Sequence, residues 1–88
     1  MKQDINKDKL KALLKEVAYK NIAIMDNGFE SVEHQLANMM PLIGAVEGAQ
    51  ELYRRLFKED MDMVSDIEDR LADHSYDTLM LISNQIEL

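Results

Sequence analysis

Two acidic pairs are the residues in this sequence whose types and spacing come nearest to a catalytic site. Glu30 and Glu33 lie three positions apart, and Glu59 and Asp62 repeat that spacing further along the chain. Residues three or four apart share one face of a helix, and Mg²⁺ is bound through carboxylate oxygens. If two helices brought the pairs together, four carboxylates would surround one metal site.

The spacing of the two pairs is similar to that of the paired acidic motifs in all-helical nucleoside-triphosphate pyrophosphohydrolases. The resemblance implies a helical bundle in which these four acids gather Mg²⁺ for nucleotide hydrolysis. It rests on two short motifs in a chain with 17 acidic residues. A Mg²⁺-dependent, pyrophosphohydrolase-like activity therefore ranks third among the function hypotheses.

Other catalytic patterns are absent from the sequence. The chain has no cysteines and two histidines, which give no recognisable zinc ligand set. It also has no glycine-rich phosphate loop. We therefore expect a protein that is not an enzyme and that needs no cofactor or metal.

Charge is distributed unevenly along the 88 residues, whose net charge is −7. Residues 1–20 carry six lysines and three acids, whereas residues 58–88 carry two basic residues and nine acids. Because phosphate contacts need a basic face, we expect no direct nucleic-acid binding. No apolar run approaches the ~20 residues that cross a bilayer, and residues 1–16 lack a signal-peptide pattern. We expect no membrane partner and a cytoplasmic location.

The scarcity of helix breakers predicts an all-α fold. The chain has one proline and three glycines, whereas a multi-stranded sheet needs a turn every few residues. The predicted helices run from Asn6 or Asp8 to about Met25, from residues 29–31 to about Phe57, and from about Glu59 to Ile86. We expect residues 1–88 to form a single domain, a three-helix bundle with a shorter N-terminal helix and a long helical hairpin.

Apolar residues repeat with helical spacing in all three segments. The predicted inner face of the first helix is Leu10, Leu13, Leu14, Val17, Ile24 and Met25, with Ile22 outside it. The predicted inner face of the third helix is Val64, Ile67, Leu71, Ser75, Thr78 and Ile82. The second helix has two adjacent apolar stripes, formed by Val32, Leu36, Met39, Ile43, Val46, Tyr53 and Phe57 and by Leu42, Ala45, Ala49, Leu52 and Leu56. Such a wide apolar face is typical of a helix with neighbours on two sides.

Two positions leave the continuity of these helices open. Pro41 removes one backbone donor from the second helix and clashes with the preceding turn. Because the apolar period keeps its phase on both sides, we predict a kink rather than a helix end. Residues 73–75 raise the same question for the third helix, where one continuous helix is favoured over two.

A row of small residues follows one side of the second helix. Its members are Ala37, Gly44, Ala45 and Gly48, with Leu52 beside them. Each glycine costs about 1 kcal/mol relative to alanine inside a helix, so we expect a close helix contact here. The contact is either within the chain or across a dimer interface. Because a short chain buries limited surface alone, we expect a homodimer.

Acidic residues follow the outer side of the third helix. They are Asp62, Asp66, Asp69 and Asp73, with Tyr76 and Met80 on or near the same face. The residues provide either a solvated face or a surface for a partner. The leading hypothesis is a non-enzymatic regulator or adaptor that binds a partner protein through a helical face. The alternative is an acidic inhibitor or nucleic-acid mimic, of the phage- or plasmid-encoded kind, that occupies a basic surface of an enzyme.

Overall fold

Three α-helices make up the bundle. The computed structural model describes residues 6–62 and 64–86, in which α1 spans Lys7–Asn27, α2 spans Val32–Phe57 and α3 spans Val64–Ile86. The described residues contain no strand and measure 56 × 27 × 19 Å. The predicted all-α, three-helix fold is therefore confirmed. Among the described helices, none combines the length and the apolar character that a membrane span requires.

The ends of the first hairpin are set by local capping groups. The Asn6 side chain accepts a hydrogen bond of 2.7 Å from the backbone N–H of Asp8. Gly28, with φ +81°, ends α1 and donates its N–H to the Met25 carbonyl at 3.1 Å. Ser31 Oγ accepts from the N–H of His34 at 3.1 Å and begins α2. Polar N-caps and a glycine at the helix end are the usual local signals for helix boundaries.

Both helices with uncertain continuity are unbroken. α2 continues through Pro41, so the proline does not end the helix, and the kink at Pro41 remains a prediction. α3 continues through residues 73–75, as favoured from the phase of its apolar residues. The hairpin of α2 and α3 therefore consists of two long helices.

The predicted start of α3 at Glu59 is wrong, because the helix begins at Val64. Lys58 adopts a left-handed conformation with φ 57° and ends α2 by donating its N–H to the Arg54 carbonyl at 2.9 Å. Asp60 then accepts a hydrogen bond of 2.9 Å from Arg54 Nε. Residues 58–62 therefore form the connection between the helices. Met63, inside the predicted helix, lies outside the described residues.

The core is formed along one side of each helix. Its buried residues are Leu14, Ala18, Ile22 and Met25 of α1, Met39, Ile43, Val46, Ala49 and Tyr53 of α2, and Met61, Ile67 and Leu71. The side chain of Val64, predicted to face inward, lies outside the described part of the chain.

The predicted inner face of α1 is partly wrong. Ile22, predicted outside it, is fully buried, whereas Leu13, Val17 and Ile24 are exposed. Contacts with α3 explain the difference, because α3 packs beside Tyr19 and Asp26 and turns that side of α1 inward. Among the described residues, the opposite side of α1 has no neighbouring helix.

A row of polar contacts joins α1 to α3 and to the connection that precedes it, and we call this row the α1–α3 seam. Lys11 Nζ lies 2.6 Å from Glu59 Oε1, and Lys15 Nζ lies 2.5 Å from Asp62 Oδ1. Towards the end of α1, Asp26 pairs with residues 70 and 74 of α3. Partners on both sides advance in the same order, so α1 and α3 run parallel and α2 runs antiparallel to both.

Candidate functional site

The two acidic pairs do not form one metal site. Glu30 and Glu33 lie at the start of α2, whereas Glu59 and Asp62 follow its end. A helix of 26 residues separates the pairs by about 39 Å at ~1.5 Å per residue. Within the described residues, no group of three or more His, Asp or Glu side chains could hold a metal ion. The geometry required for pyrophosphohydrolase-like chemistry is therefore not found.

The row of small residues on α2 faces away from the rest of the chain. Ala37, Gly44 and Gly48 are exposed, Ala45 is half-buried and Leu52 is exposed. A Cβ added at Gly44 or Gly48 would meet no described atom within 4 Å. The prediction that another helix of the same chain packs closely against these glycines is therefore wrong for the described residues. The dimer interpretation of this row remains a prediction.

The four aspartates at the outer side of α3 have two different environments. Asp62 pairs with Lys15, which lowers the pKa of the Asp62 carboxyl, while the same contact raises the pKa of Lys15. Asp66 accepts hydrogen bonds of 3.4 Å from the Tyr19 hydroxyl and from Arg70. Asp69 and Asp73 are exposed and form no ion pair with any described residue. Only the last two therefore present a free negative charge.

Asp26 is the centre of the polar contacts at the end of α1. Its carboxylate accepts from the Arg70 guanidinium and lies 2.6 Å from Nε2 of His74. Arg70, and to a smaller extent His74, lowers the pKa of Asp26, and the Asp26 contact raises the pKa of Arg70. These side chains hold α3 against the last turn of α1. The opposite charges of the two ends of the sequence were only a general signal for these contacts.

An apolar groove opens between α2 and α3 where α3 extends past the end of α1. α1 ends at Asn27, one residue after Asp26, whereas α3 continues for three turns beyond His74. The groove has a volume of about 160 Å³. Its lining consists of Met40, Ile43, Ser75, Thr78, Leu79 and Ile82. The space that α1 would fill in a longer bundle is left open here.

Thr78 places an unpaired hydroxyl in this apolar lining. The residue is only 2% exposed, and Thr78 Oγ1 has no hydrogen-bond partner among the described residues. Leaving a buried hydroxyl unpaired costs about 1–3 kcal/mol. A bound group with a donor or acceptor could recover that free energy.

Two large apolar side chains of the groove lining are exposed at its mouth. Met40 is 61% exposed and Leu79 is 62% exposed. Tyr76 and Met80 are also exposed, but they lie beside Asp69 and Asp73 on the outer side of α3, away from the groove. Met40 and Leu79 were not predicted as site residues. The sequence gives little indication of their role. Each follows a residue that faces inward, and neither belongs to the apolar stripe of its own helix.

Comparisons with known proteins provide no relative for this arrangement. The chain matches no protein-family model, and neither the curated proteins nor the solved structures give a match. A function for the groove must therefore be argued from its geometry.

Proposed function

We propose that this chain is a non-enzymatic interaction protein, a regulator or adaptor that binds an amphipathic helix of a partner protein over the α2–α3 groove. The observation that carries the proposal is the apolar groove at Thr78, whose mouth is formed by exposed apolar side chains. An amphipathic helix docks in such a groove by inserting apolar residues at helical spacing.

The composition of the groove favours a partner side chain that is mostly apolar. Met40, Ile43, Leu79 and Ile82 provide apolar contacts, and methionine adapts its shape to different partners. The volume of about 160 Å³ suits one large side chain rather than a nucleotide. A polar atom on that side chain, as in tyrosine, would pair with the hydroxyl of Thr78.

Charge on α3 lies away from the groove. Asp69 and Asp73 are exposed and have no described ion-pair partner, but at about 100° per residue they lie about 140–180° around α3 from Thr78. A helix docked in the groove is therefore held mainly by apolar contacts, and binding of a basic surface at these carboxylates is a separate interaction.

The second candidate function is an acidic inhibitor that occupies a basic surface of an enzyme. It is favoured by the exposed, unpaired carboxylates of Asp69 and Asp73. Asp62 and Asp66 contribute less to it, because both are engaged with α1 or Arg70. The two candidates differ in the main source of affinity, which is apolar burial for the first and charge for the second.

Peptide display provides the test of the proposed function. Helical peptides selected against the protein should carry apolar residues at helical spacing. Leu79→Glu should weaken binding of the selected peptides about tenfold or more, because a charge then lies in the apolar contact. Leu13→Glu, at an exposed leucine on the other side of the bundle, is the matched control and should bind normally.

The outcome separates the two candidates. Equal binding by the Leu79→Glu variant and the unaltered protein would reject docking in the groove. Selected peptides that are basic but lack an apolar face, and whose affinity disappears in high salt, would instead support the acidic inhibitor.

A further inference from the structure

A second uncovered apolar surface lies on the side of the α1–α2 pair that faces away from α3, and we call it the free face. Its large side chains are Leu13, Val17 and Ile24 of α1 and Leu52 and Leu56 of α2, which are 41–52% exposed. Contiguous exposed apolar surface of this kind marks an interaction site on a small protein.

The position of the free face on α1 follows from the contacts of that helix. α3 contacts α1 through Tyr19 and Asp26. At about 100° per residue, Leu13 lies about 120° around the helix from Tyr19 and about 140° from Asp26. Val17 lies on the same side as Leu13. These side chains therefore point away from α3.

The same construction applies to α2. α3 contacts α2 on the side of Met40 and Ile43, whereas Leu52 and Leu56 lie more than about 120° around the helix from Met40. They are therefore on the side of α2 opposite to α3. Lys11 Nζ of α1 lies 5.0 Å from the Phe57 ring centroid, so the start of α1 and the end of α2 are neighbours. Leu13 and Leu52 consequently occupy the same end of the free face.

Few charged side chains lie on the free face. Its α2 residues are Asn38, Pro41, Leu42, Ala45, Leu52 and Leu56, and none of them is charged. Its α1 side includes Lys9 and Lys20, which lie within about 40° of Leu13 around the helix, and Lys20 pairs with Glu16 at 3.1 Å. The chain as a whole has a net charge of −7. Two copies that meet through this face therefore keep their acidic α3 helices on opposite outer sides.

The free face is large enough for a stable contact between two copies. α1 has 21 residues and is therefore about 32 Å long at ~1.5 Å per residue. Two packed helices present a width of about 20 Å, so the face covers roughly 600 Å² on each protomer. An interface of about 1,200 Å² in total reaches the lower limit of specific, stable interfaces.

We propose that the free face binds a second copy of this chain in a two-fold symmetric dimer. A two-fold axis brings the same patch of both subunits together, which suits a mostly apolar surface with little charge to repel a second copy. The proposal adds an interface to the interaction protein inferred above, and it leaves the α2–α3 groove of each protomer open to the partner. It also assigns dimerisation to Leu13, Leu52 and Leu56 rather than to the glycines of α2.

Sedimentation equilibrium of three variants tests the proposal. Leu52→Glu should raise the dimer dissociation constant about tenfold or more, since it buries a charge at the interface. Leu79→Glu, at an exposed leucine of α3, and Gly44→Lys, at the outward glycine, should leave the dissociation constant unchanged. A monomeric unaltered protein, an unaffected Leu52→Glu dimer, or dissociation by Gly44→Lys would each overturn the proposal.

Thiol reactivity gives a second measurement that does not depend on disrupting the interface. The sequence contains no cysteine, so Leu52→Cys and Glu51→Cys each introduce one exposed thiol at neighbouring positions. Alkylation of the Leu52→Cys variant should slow as protein concentration rises, whereas the Glu51→Cys variant should react at a constant rate. Equal concentration dependence in both would contradict the proposed interface.

Peptide binding by the Leu52→Glu variant should persist. This measurement separates a failure of the proposed dimer interface from a failure of the proposed groove.

Discussion

Asp26 Oδ1 lies 2.6 Å from Nε2 of His74, although 48 positions separate the two residues in the sequence. The same carboxylate also pairs with Arg70. One acidic side chain in the last turn of α1 therefore engages two residues on one side of α3. This contact marks the point at which α1 ends and the open groove begins.

Replacing Asp26 should destabilise the bundle in a pH-dependent manner. Because Arg70 and His74 lower the pKa of Asp26, the ionised carboxylate stabilises the folded state above its ordinary pKa of about 4. Asp26→Asn should lower the free energy of unfolding by about 1 kcal/mol or less at neutral pH, since the pair is partly exposed. This difference should disappear as the pH falls through the lowered pKa.

Urea denaturation between pH 7 and pH 2 measures this effect. Asp73→Asn is the matched control, because Asp73 is exposed without a described ion pair. A stability difference for Asp26→Asn that stays constant down to pH 2 would contradict the assigned role of the carboxylate.

Removing the hydroxyl of Thr78 should stabilise the protein. Thr78 Oγ1 is buried without a described partner, and valine has nearly the same shape. Thr78→Val should raise the free energy of unfolding by about 1 kcal/mol, as measured by chemical denaturation. The matched control is Thr78→Ser, which keeps the hydroxyl. A loss of stability in the valine variant would mean that the hydroxyl is satisfied in solution.

Alanine at Gly44 should also be stabilising. No described atom lies within 4 Å of the position that its Cβ would take, so alanine meets no clash. Gly44→Ala should increase the free energy of unfolding by about 0.5–1 kcal/mol, because alanine favours the helix more strongly. Thermal and chemical denaturation provide the measurement. Destabilisation would indicate that another molecule packs closely at this glycine.

Two double variants of the acidic residues at α3 should affect stability and binding separately. Asp62→Asn with Asp66→Asn removes partners of Lys15 and Tyr19 and should lower the Tm. Asp69→Asn with Asp73→Asn removes a repulsion between like charges four residues apart and should leave the Tm unchanged or slightly higher. Only the second pair should reduce affinity for a basic surface, as the acidic-inhibitor candidate requires, while leaving the fold intact. Equal Tm values for the two double variants would contradict this division.

Sequence patterns predicted the helices better than the sides they bury. Asn6, Gly28 and Ser31 act on neighbouring backbone groups, so their roles could be inferred from local spacing. The burial of Ile22 could not, because it depends on which side of α1 the third helix approaches. The hydrophobic spacing from Leu10 to Met25 indicated an apolar surface on α1. That surface is wider than the part that the neighbouring helices cover, so the spacing alone did not show which side is buried.

The candidate site was predicted only in part for a similar reason. Tyr76 and Met80 could be placed beside acids from their spacing on one helix. Met40 and Leu79 line the groove because α2 and α3 pair there and α1 ends early. Neither the pairing of two helices nor the length of a third can be inferred from a local sequence pattern. The division of the aspartates likewise depends on Lys15 and Tyr19, which lie more than 40 positions away.

The order of charges along the α1–α3 seam also restricts how the chain can assemble. Lys11 and Lys15 of α1 meet acids, whereas Asp26 meets basic partners, so the polarity reverses along the helix. A shift of α3 by one turn along α1 would bring either Asp66 or Thr78 towards Asp26. The carboxylate would then lose one of its two partners, His74 or Arg70. The polar contacts therefore favour one alignment of α3 among several that would bury similar apolar area.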